Sequence, residues 1–287
     1  MKKIGFIGVG IMGKSMVRNL MKAGYELHIY ARTKEKVEDV MEEGAIFHAS
    51  IQECAKGCEA VITMVGFPKD VQEVYFDQGN LLYSADAGTY LIDMTTTSPA
   101  LAEEISKVGT QRGYRILDAP VTGGDTGAKA GTLSILVGGA REDYEACMPL
   151  FQAMGTNINY QGKAGCGQHA KLANQIMIAG TLSGVCEALT YAKAKGLDLG
   201  TVLDSVSTGA AASRQLDTFG PKILAGDYAP GFFMKHFIKD MTLALEEANR
   251  SDLNLDVLSR VLANYEELEA KGYGDLGTQA LIKYYET

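Results

Sequence analysis

Ile4-Gly5-Phe6-Ile7-Gly8-Val9-Gly10-Ile11-Met12-Gly13 is an apolar strand that runs into G-x-G-x-x-G and then a helix. Each glycine has its own duty. Gly8 permits the tight turn, Gly10 lets a pyrophosphate approach the backbone, and Gly13 lets helix and strand pack closely. The helix expected from Met12, with Ile11 just before it, offers amide donors and a positive dipole end to phosphates. Three glycines alone describe any glycine-rich turn. Here the strand–turn–helix context, with further strands and helices alternating beyond it, points to dinucleotide binding.

Outward from that turn, apolar strands alternate with helical segments. Strands are predicted at 3–9, 26–30, 46–48, 60–65, 90–94, 115–119, 133–137 and 157–160. Helices are predicted at 12–23, 34–43, 99–112 and 142–154. Such alternation implies a mainly parallel sheet covered by helices on both faces, an α/β doubly wound sheet of the Rossmann type. From Gly165 the strand signals stop, and helices are predicted at 199–207, 237–251 and 256–271. The expected division is a dinucleotide-binding domain over 1–163 and an all-α C-terminal domain over 164–287, which begins on a long interdomain helix.

The 287 residues allow one large or two medium domains. A net charge of −8 argues against nucleic acid or an anionic membrane as general partners. The cysteines Cys54, Cys58, Cys147, Cys166 and Cys186 form no CxxC, which suits reduced thiols in the cytoplasm. His28, His48, His169 and His236 are dispersed along the sequence, so no metal site is expected. The start, Met1-Lys2-Lys3 before an apolar run, reads as a first strand because Gly8, Gly10, Lys14 and Arg18 break it. The apolar run Ile176–Cys186 is too short to span a bilayer, so the chain is expected to be cytoplasmic.

The tip of the second strand bears on which nicotinamide cofactor fits. An acid about twenty residues after the glycines would bind a free ribose 2′-hydroxyl. The chain has Ala31-Arg32-Thr33-Lys34 instead, with Lys36 nearby. Arg32 can fork onto a 2′-phosphate and stack beside adenine, and Thr33 adds a hydroxyl. The plainer reading is a solvent-exposed loop arginine. The expectation is NADP in preference to NAD.

Three further stretches fall where strand ends meet a ligand in such sheets. Met64-Val65 ends one strand, and Thr95-Thr96-Thr97-Ser98-Pro99 succeeds another, with Ser98-Pro99 also an ordinary helix start. In Asp118-Ala119-Pro120-Val121-Thr122-Gly123-Gly124, a hydroxyl before two glycines leaves amides free for an anion. That suits a substrate carboxylate, as it suits a plain turn between strands. Finally, Gly165-Cys166-Gly167-Gln168-His169-Ala170-Lys171-Leu172-Ala173-Asn174-Gln175 opens an apolar stretch with no proline before Gly196. A helix over 169–195 would be roughly 40 Å long. It would place Lys171, Asn174 and Gln175 on one face. Taken alone, Lys171 is a lysine that snorkels off a buried helix.

Taken together, these blocks resemble the β-hydroxyacid dehydrogenases: 3-hydroxyisobutyrate dehydrogenase, tartronate semialdehyde reductase, and glyoxylate or succinic semialdehyde reductase. The blocks are the glycine turn with Asn19-Leu20, Asp118 to Gly124, Gly165 to Gln175, and Lys239-Asp240, and the resemblance covers essentially the whole chain. It implies that Lys171 is catalytic, as general acid or base, with Asn174 and Gln175 beside it. It implies that Thr122, Gly123 and Gly124 hold the substrate carboxylate. Thr96, Lys239 and the Met64-Val65 strand end are implied to contact the nicotinamide end of the cofactor. The C-terminal domain is implied to cap the active-site cleft and support a homodimer or homotetramer.

Thr122 stands where many relatives have Ser, Gln175 replaces a second Asn, and Arg214 stands where many carry Trp. Arg214 either favours a second anionic group on the substrate or faces solvent. Imine reductases share the fold and cofactor but usually lack the lysine seen at Lys171, and 6-phosphogluconate dehydrogenases are much longer. A non-catalytic dinucleotide-binding scaffold would not need Lys171, Asn174 and Thr122-Gly123-Gly124 together.

Overall fold

The structure, a computed structural model, describes residues 1–286. Two compact units divide inside the long helix, Met1–Lys171 and Leu172–Thr287.

The first unit is a nine-stranded mixed sheet. Its strands are β1 (Lys3–Ile7), β2 (Glu26–Tyr30), β3 (Ile46–Phe47), β4 (Ala60–Thr63), β5 (Tyr90–Asp93), β6 (Arg115–Asp118), β7 (Val121–Thr122), β8 (Leu133–Gly139) and β9 (Gly155–Gly162). The order is β3-β2-β1-β4-β5-β6-β8-β7, with β9 on β8. Strands β1 to β6 are parallel throughout, as alternation with helices demands. Alternate residues feed two cores. Ile4, Phe6, Ile62, Ile92 and Leu117 pack on one face, while Ile7, Val61, Leu91 and Ile116 pack on the other. Burial on both faces is why these strands read as continuous apolar runs.

The sheet departs from expectation after β6. Pro120 has no amide to give the ladder, so the strand breaks there and resumes as β7, which no sequence signal marked. Strand β8 runs antiparallel to β6 and β7, and β9 then lies parallel to β8. The helix expected over 34–43 is a 3₁₀ turn at Lys34–Val37 followed by a short helix at Glu38–Glu42. The Pro68–Phe76 helix, unforeseen, starts where Pro68 fits a first helical turn.

The second unit is helical, with helices at Leu199–Val206, Arg214–Leu224, Met234–Arg250 and Asp256–Ala270. Leu182, Cys186, Phe237, Met241, Tyr265 and Leu281 form its core. Arg214 is the exposed first residue of its helix.

The long helix spans Cys166–Ala194 and so begins three residues earlier than expected. By length and composition this helix is long and apolar enough to cross a membrane. The expectation that it falls short holds for Ile176–Cys186 and not for the whole helix. In the folded chain its apolar side chains Leu172, Ala179, Leu182, Cys186 and Leu189 are core residues.

Gly167 explains how the helix start fits against the sheet. A Cβ there would lie 2.5 Å from the Leu136 carbonyl oxygen and 2.6 Å from that of Asp118. Both neighbours are backbone and cannot swing aside. Gly167→Ala is therefore expected to destabilise the protein by about 1–3 kcal/mol, the usual cost of overpacking, read from the midpoint of urea unfolding.

Candidate active site

The glycine turn shows the strain and the space that a dinucleotide needs. Gly8 stands at φ +94°, and a Cβ on it would meet the Met64 carbonyl oxygen at 2.2 Å. A Cβ on Gly13 would meet the Gly8 carbonyl oxygen at the same distance, whereas a Cβ on Gly10 would have nothing within 4 Å. So two glycines are required by packing, and the middle one leaves the backbone open to a ligand. The Ile11–Lys22 helix begins there with no side-chain cap and no acid in its first turn. Its first amides are therefore available to an anion. The residues fit a pyrophosphate.

At the end of β2, Ala31 packs against the core while Arg32, Thr33 and Lys36 are exposed. Thr33 precedes the 3₁₀ turn without using its hydroxyl as a cap. Arg32 is more than a solvent-exposed loop residue, because its Nη2 lies 2.7 Å from Asp70 Oδ1.

The carboxyl ends of β4, β5 and β6 carry a buried polar layer. Thr63 Oγ1 donates to Asp93 Oδ1, and the amide of Thr95 reaches the same oxygen. Thr95 Oγ1 accepts from the amide of Val65, the residue after Met64. This ties the Met64-Val65 strand end to the 95–97 segment, where Thr96 is half-buried. Gln168, fully buried on the first turn of the long helix, spans that segment. Its Nε2 donates to the Thr95 carbonyl, and its Oε1 accepts from the amide of Thr97.

Asp118, at the end of β6, fastens the helix start itself. Its two oxygens accept from the amides of Gly165 (2.8 Å) and Gln168 (2.9 Å). Burial pushes this carboxyl up to about 7, opposed by those two amides and reinforced by Asp93. Lys171 lies one helical turn beyond Gln168, and it is only 7% exposed. Farther along, Gly123 and Gly124 adopt φ of +130° and +65°, backbone that favours glycine. They carry the chain from Thr122, which is half-buried, into the Gly124–Ala130 helix without a side-chain cap.

In the second unit a chain of polar contacts runs through Asp240. Lys239 Nζ lies 3.0 Å from Asp240 Oδ1, and Gln175 Nε2 donates to Oδ2 at 2.6 Å. Asn174 Nδ2 then donates to Gln175 Oε1 at 2.8 Å. Both ends of the Gln175 amide are thus engaged in orienting its neighbours. Asp118, Gln168, Asp70 and Asp240 were not among the expected site residues. Their sequence signal was thin, since each holds at least one partner from a distant stretch of the chain.

Among the described residues no group of three or more His, Cys, Asp or Glu could hold a metal. Two of the four histidines are nonetheless neighbours in space: His28 Nδ1 and His48 Nε2 are 2.7 Å apart, with Glu26 on the other His28 nitrogen. Pairing of β2 with β3 brings them together. A groove of about 380 Å³ bounded by Met1, Gly57, Glu59 and Asp86 lies at the opposite, amino end of the sheet, away from the ligand end of such folds.

Known proteins resemble this chain along its whole length. Residues 3–162 match the family model described as the NAD binding domain of 6-phosphogluconate dehydrogenase. Residues 165–285 match that described as NAD-binding of NADP-dependent 3-hydroxyisobutyrate dehydrogenase. An uncharacterised oxidoreductase of Bacillus subtilis, YkwC, is 48% identical and covers 99% of each chain. A probable mitochondrial 3-hydroxyisobutyrate dehydrogenase-like protein of Arabidopsis thaliana is 45% identical over 98% of this chain and 84% of its own. Among solved structures, a Mycobacterium tuberculosis 3-hydroxyisobutyrate dehydrogenase with L-serine superposes with a TM-score of 0.92 at 28% identity, covering all of both chains.

The Asp118 carboxyl makes a pH prediction. A group raised from 3.8 to about 7 on folding binds a proton in the native state where the unfolded chain has lost it. Its contribution to stability is full below pH 3.8 and is lost as the pH rises through 7. Wild-type stability relative to Asp118→Asn should thus fall on the order of 1 kcal/mol per unit across that window. Urea unfolding at stepped pH measures it, and a flat difference would refute it.

Proposed function

The chain belongs to the β-hydroxyacid dehydrogenase family, and on that premise we propose an NADP(H)-linked enzyme that interconverts a short 3-hydroxyacid, or a related hydroxyacid, and its semialdehyde. Dependence on NAD(P) and action on a CH–OH group come with the family. The narrower reading rests on residues. Arg32, Thr33 and Lys36 at the end of β2 support NADP over NAD, with NAD accepted more weakly.

The observation that carries the catalytic reading is the burial of Lys171. Lysine is among the residue types least often buried, and this one, only 7% exposed, comes directly after a helix start fastened by Asp118 and Gln168. NADPH, when bound, would supply the hydride that the carbonyl carbon accepts. Negative charge then grows on the carbonyl oxygen, where the Lys171 ammonium stabilises it and delivers the proton. In the direction of alcohol oxidation the neutral amine accepts that proton. Thr122, Gly123 and Gly124 hold the substrate carboxylate through a hydroxyl and backbone amides. In the first unit, Thr96 and the Met64-Val65 strand end position the nicotinamide. Asp240 orients Lys239 and, through Gln175, Asn174, whose amide lines up the substrate hydroxyl.

Five free cysteines, four of them buried, suit a cytoplasmic enzyme. A homodimer or homotetramer is part of this reading, as the family resemblance implies.

Lys171→Ala should lower kcat about 10²–10⁴-fold, the usual worth of a general acid. NADPH binding, followed by fluorescence titration, should stay within about two-fold of wild type, since the lysine is assigned to proton transfer and not to cofactor affinity. The readout is oxidation of NADPH with glyoxylate, succinic semialdehyde, tartronate semialdehyde and methylmalonate semialdehyde. Retained turnover in the variant would remove Lys171 from the mechanism.

A further inference from the structure

Arg32 is tethered, and the tether is itself fixed. The Arg32 side chain is 70% exposed, yet its Nη2 lies 2.7 Å from Asp70 Oδ1, in a side chain only 7% exposed. The second Asp70 oxygen accepts from the backbone amide of Phe67 at 3.0 Å. That amide stands at the start of the Pro68–Phe76 helix, whose positive end favours a carboxylate there. Asp70 is therefore anchored to main chain on one side and grips the guanidinium on the other.

An acid at this place has two opposite consequences for a phosphate on the adenosine 2′ position. It removes the wandering of a long exposed side chain, so less freedom is lost when the remaining guanidinium donors bind. It also puts a negative charge near a second one. Geometry favours the first effect. Asp70 takes one Nη2 donor and leaves the rest of a five-donor fork. Its own charge is buried and turned toward a helix start, while the exposed arginine faces water.

We propose that Asp70 is a specificity-determining positioning residue: it holds Arg32 in the orientation that receives the 2′-phosphate of NADP. The proposal rests on the reading of Arg32 as the 2′-phosphate ligand. It adds that selectivity belongs to the Arg32–Asp70 pair across 38 residues of sequence, and not to the arginine alone.

Asp70→Asn separates these duties. The asparagine oxygen can still accept from Phe67, so the helix start is kept, but its amide cannot accept from Arg32. Isothermal titration of the full chain with adenosine 2′,5′-bisphosphate and with adenosine 5′-monophosphate reads the effect without turnover. In Asp70→Asn, affinity for the bisphosphate should fall about five- to ten-fold, as expected for a lost pre-organised contact, while the monophosphate changes less than about two-fold. A thermal melt confirms the fold. A merely structural role would move both ligands together, and that outcome overturns the proposal. So does an unchanged or improved bisphosphate affinity, which would mean that charge repulsion outweighs positioning. Arg32→Ala, measured alongside, tells the two readings apart. If it leaves the affinity ratio unchanged, the Arg32 assignment fails and the proposal with it. If it collapses the ratio while Asp70→Asn does not, only the role of Asp70 is lost.

Discussion

The carboxyl group of Asp118 holds the rest of the first unit's ligand end in place. It sits at the end of β6 and accepts from the amides of Gly165 and Gln168, 47 and 50 residues farther along the chain. Those amides have no partner within their own helix, because the first turn of any helix leaves its N–H groups unused. Burying them without an acceptor would cost about 1–3 kcal/mol each. Asp118 removes that cost and at the same time sets where the long helix begins. Gln168 then locks the rotation of that helix by spanning Thr95 and Thr97. Lys171 is carried along rigidly, one turn later.

This clamp needs room, and glycine provides it. A Cβ on Gly138 would come within 2.5 Å of Asp118 Oδ1, and one on Gly167 within 2.8 Å of Oδ2. The same logic rules the nucleotide end, where Gly8 and Gly13 allow β1, β4 and the first helix to approach one another closely. Chemistry is thus held by backbone contacts that side chains would block. Polar groups such as Asp93, Thr63 and Thr95 line the intervening strand ends, and their hydrogen bonds offset the penalty of burial. In the second unit, Asp240 plays a similar part for Lys239, Gln175 and Asn174.

Much of this was legible in the sequence wherever the signal was local. The glycine turn could be read from three residues in a strand–turn–helix frame, since each glycine answers to a neighbour's sterics. Strands β1 to β6 were legible from apolar runs, because both faces of a parallel sheet are covered. The strand reversal at β8 was not, as the direction of a strand leaves no mark in hydrophobic period. Arg32 stood out by position, but its grip on Asp70 did not. His28 and His48 looked unrelated at 20 residues apart, although the parallel register of β2 and β3 sets them side by side.

The sequence by itself determined the fold class, the family and the residue types available for hydride and proton transfer. Those come from short-range patterns of glycine, apolar period and motif, which operate over a few residues. Tertiary structure alone decided which polar groups hold which. Asp118 finds Gly165, Asp70 finds Arg32 and Asp240 finds Gln175 only after sheet register and helix packing have brought distant stretches to within 3 Å. Hydrogen bonds act at contact range, so their partners are chosen by the folded backbone and not by order along the chain.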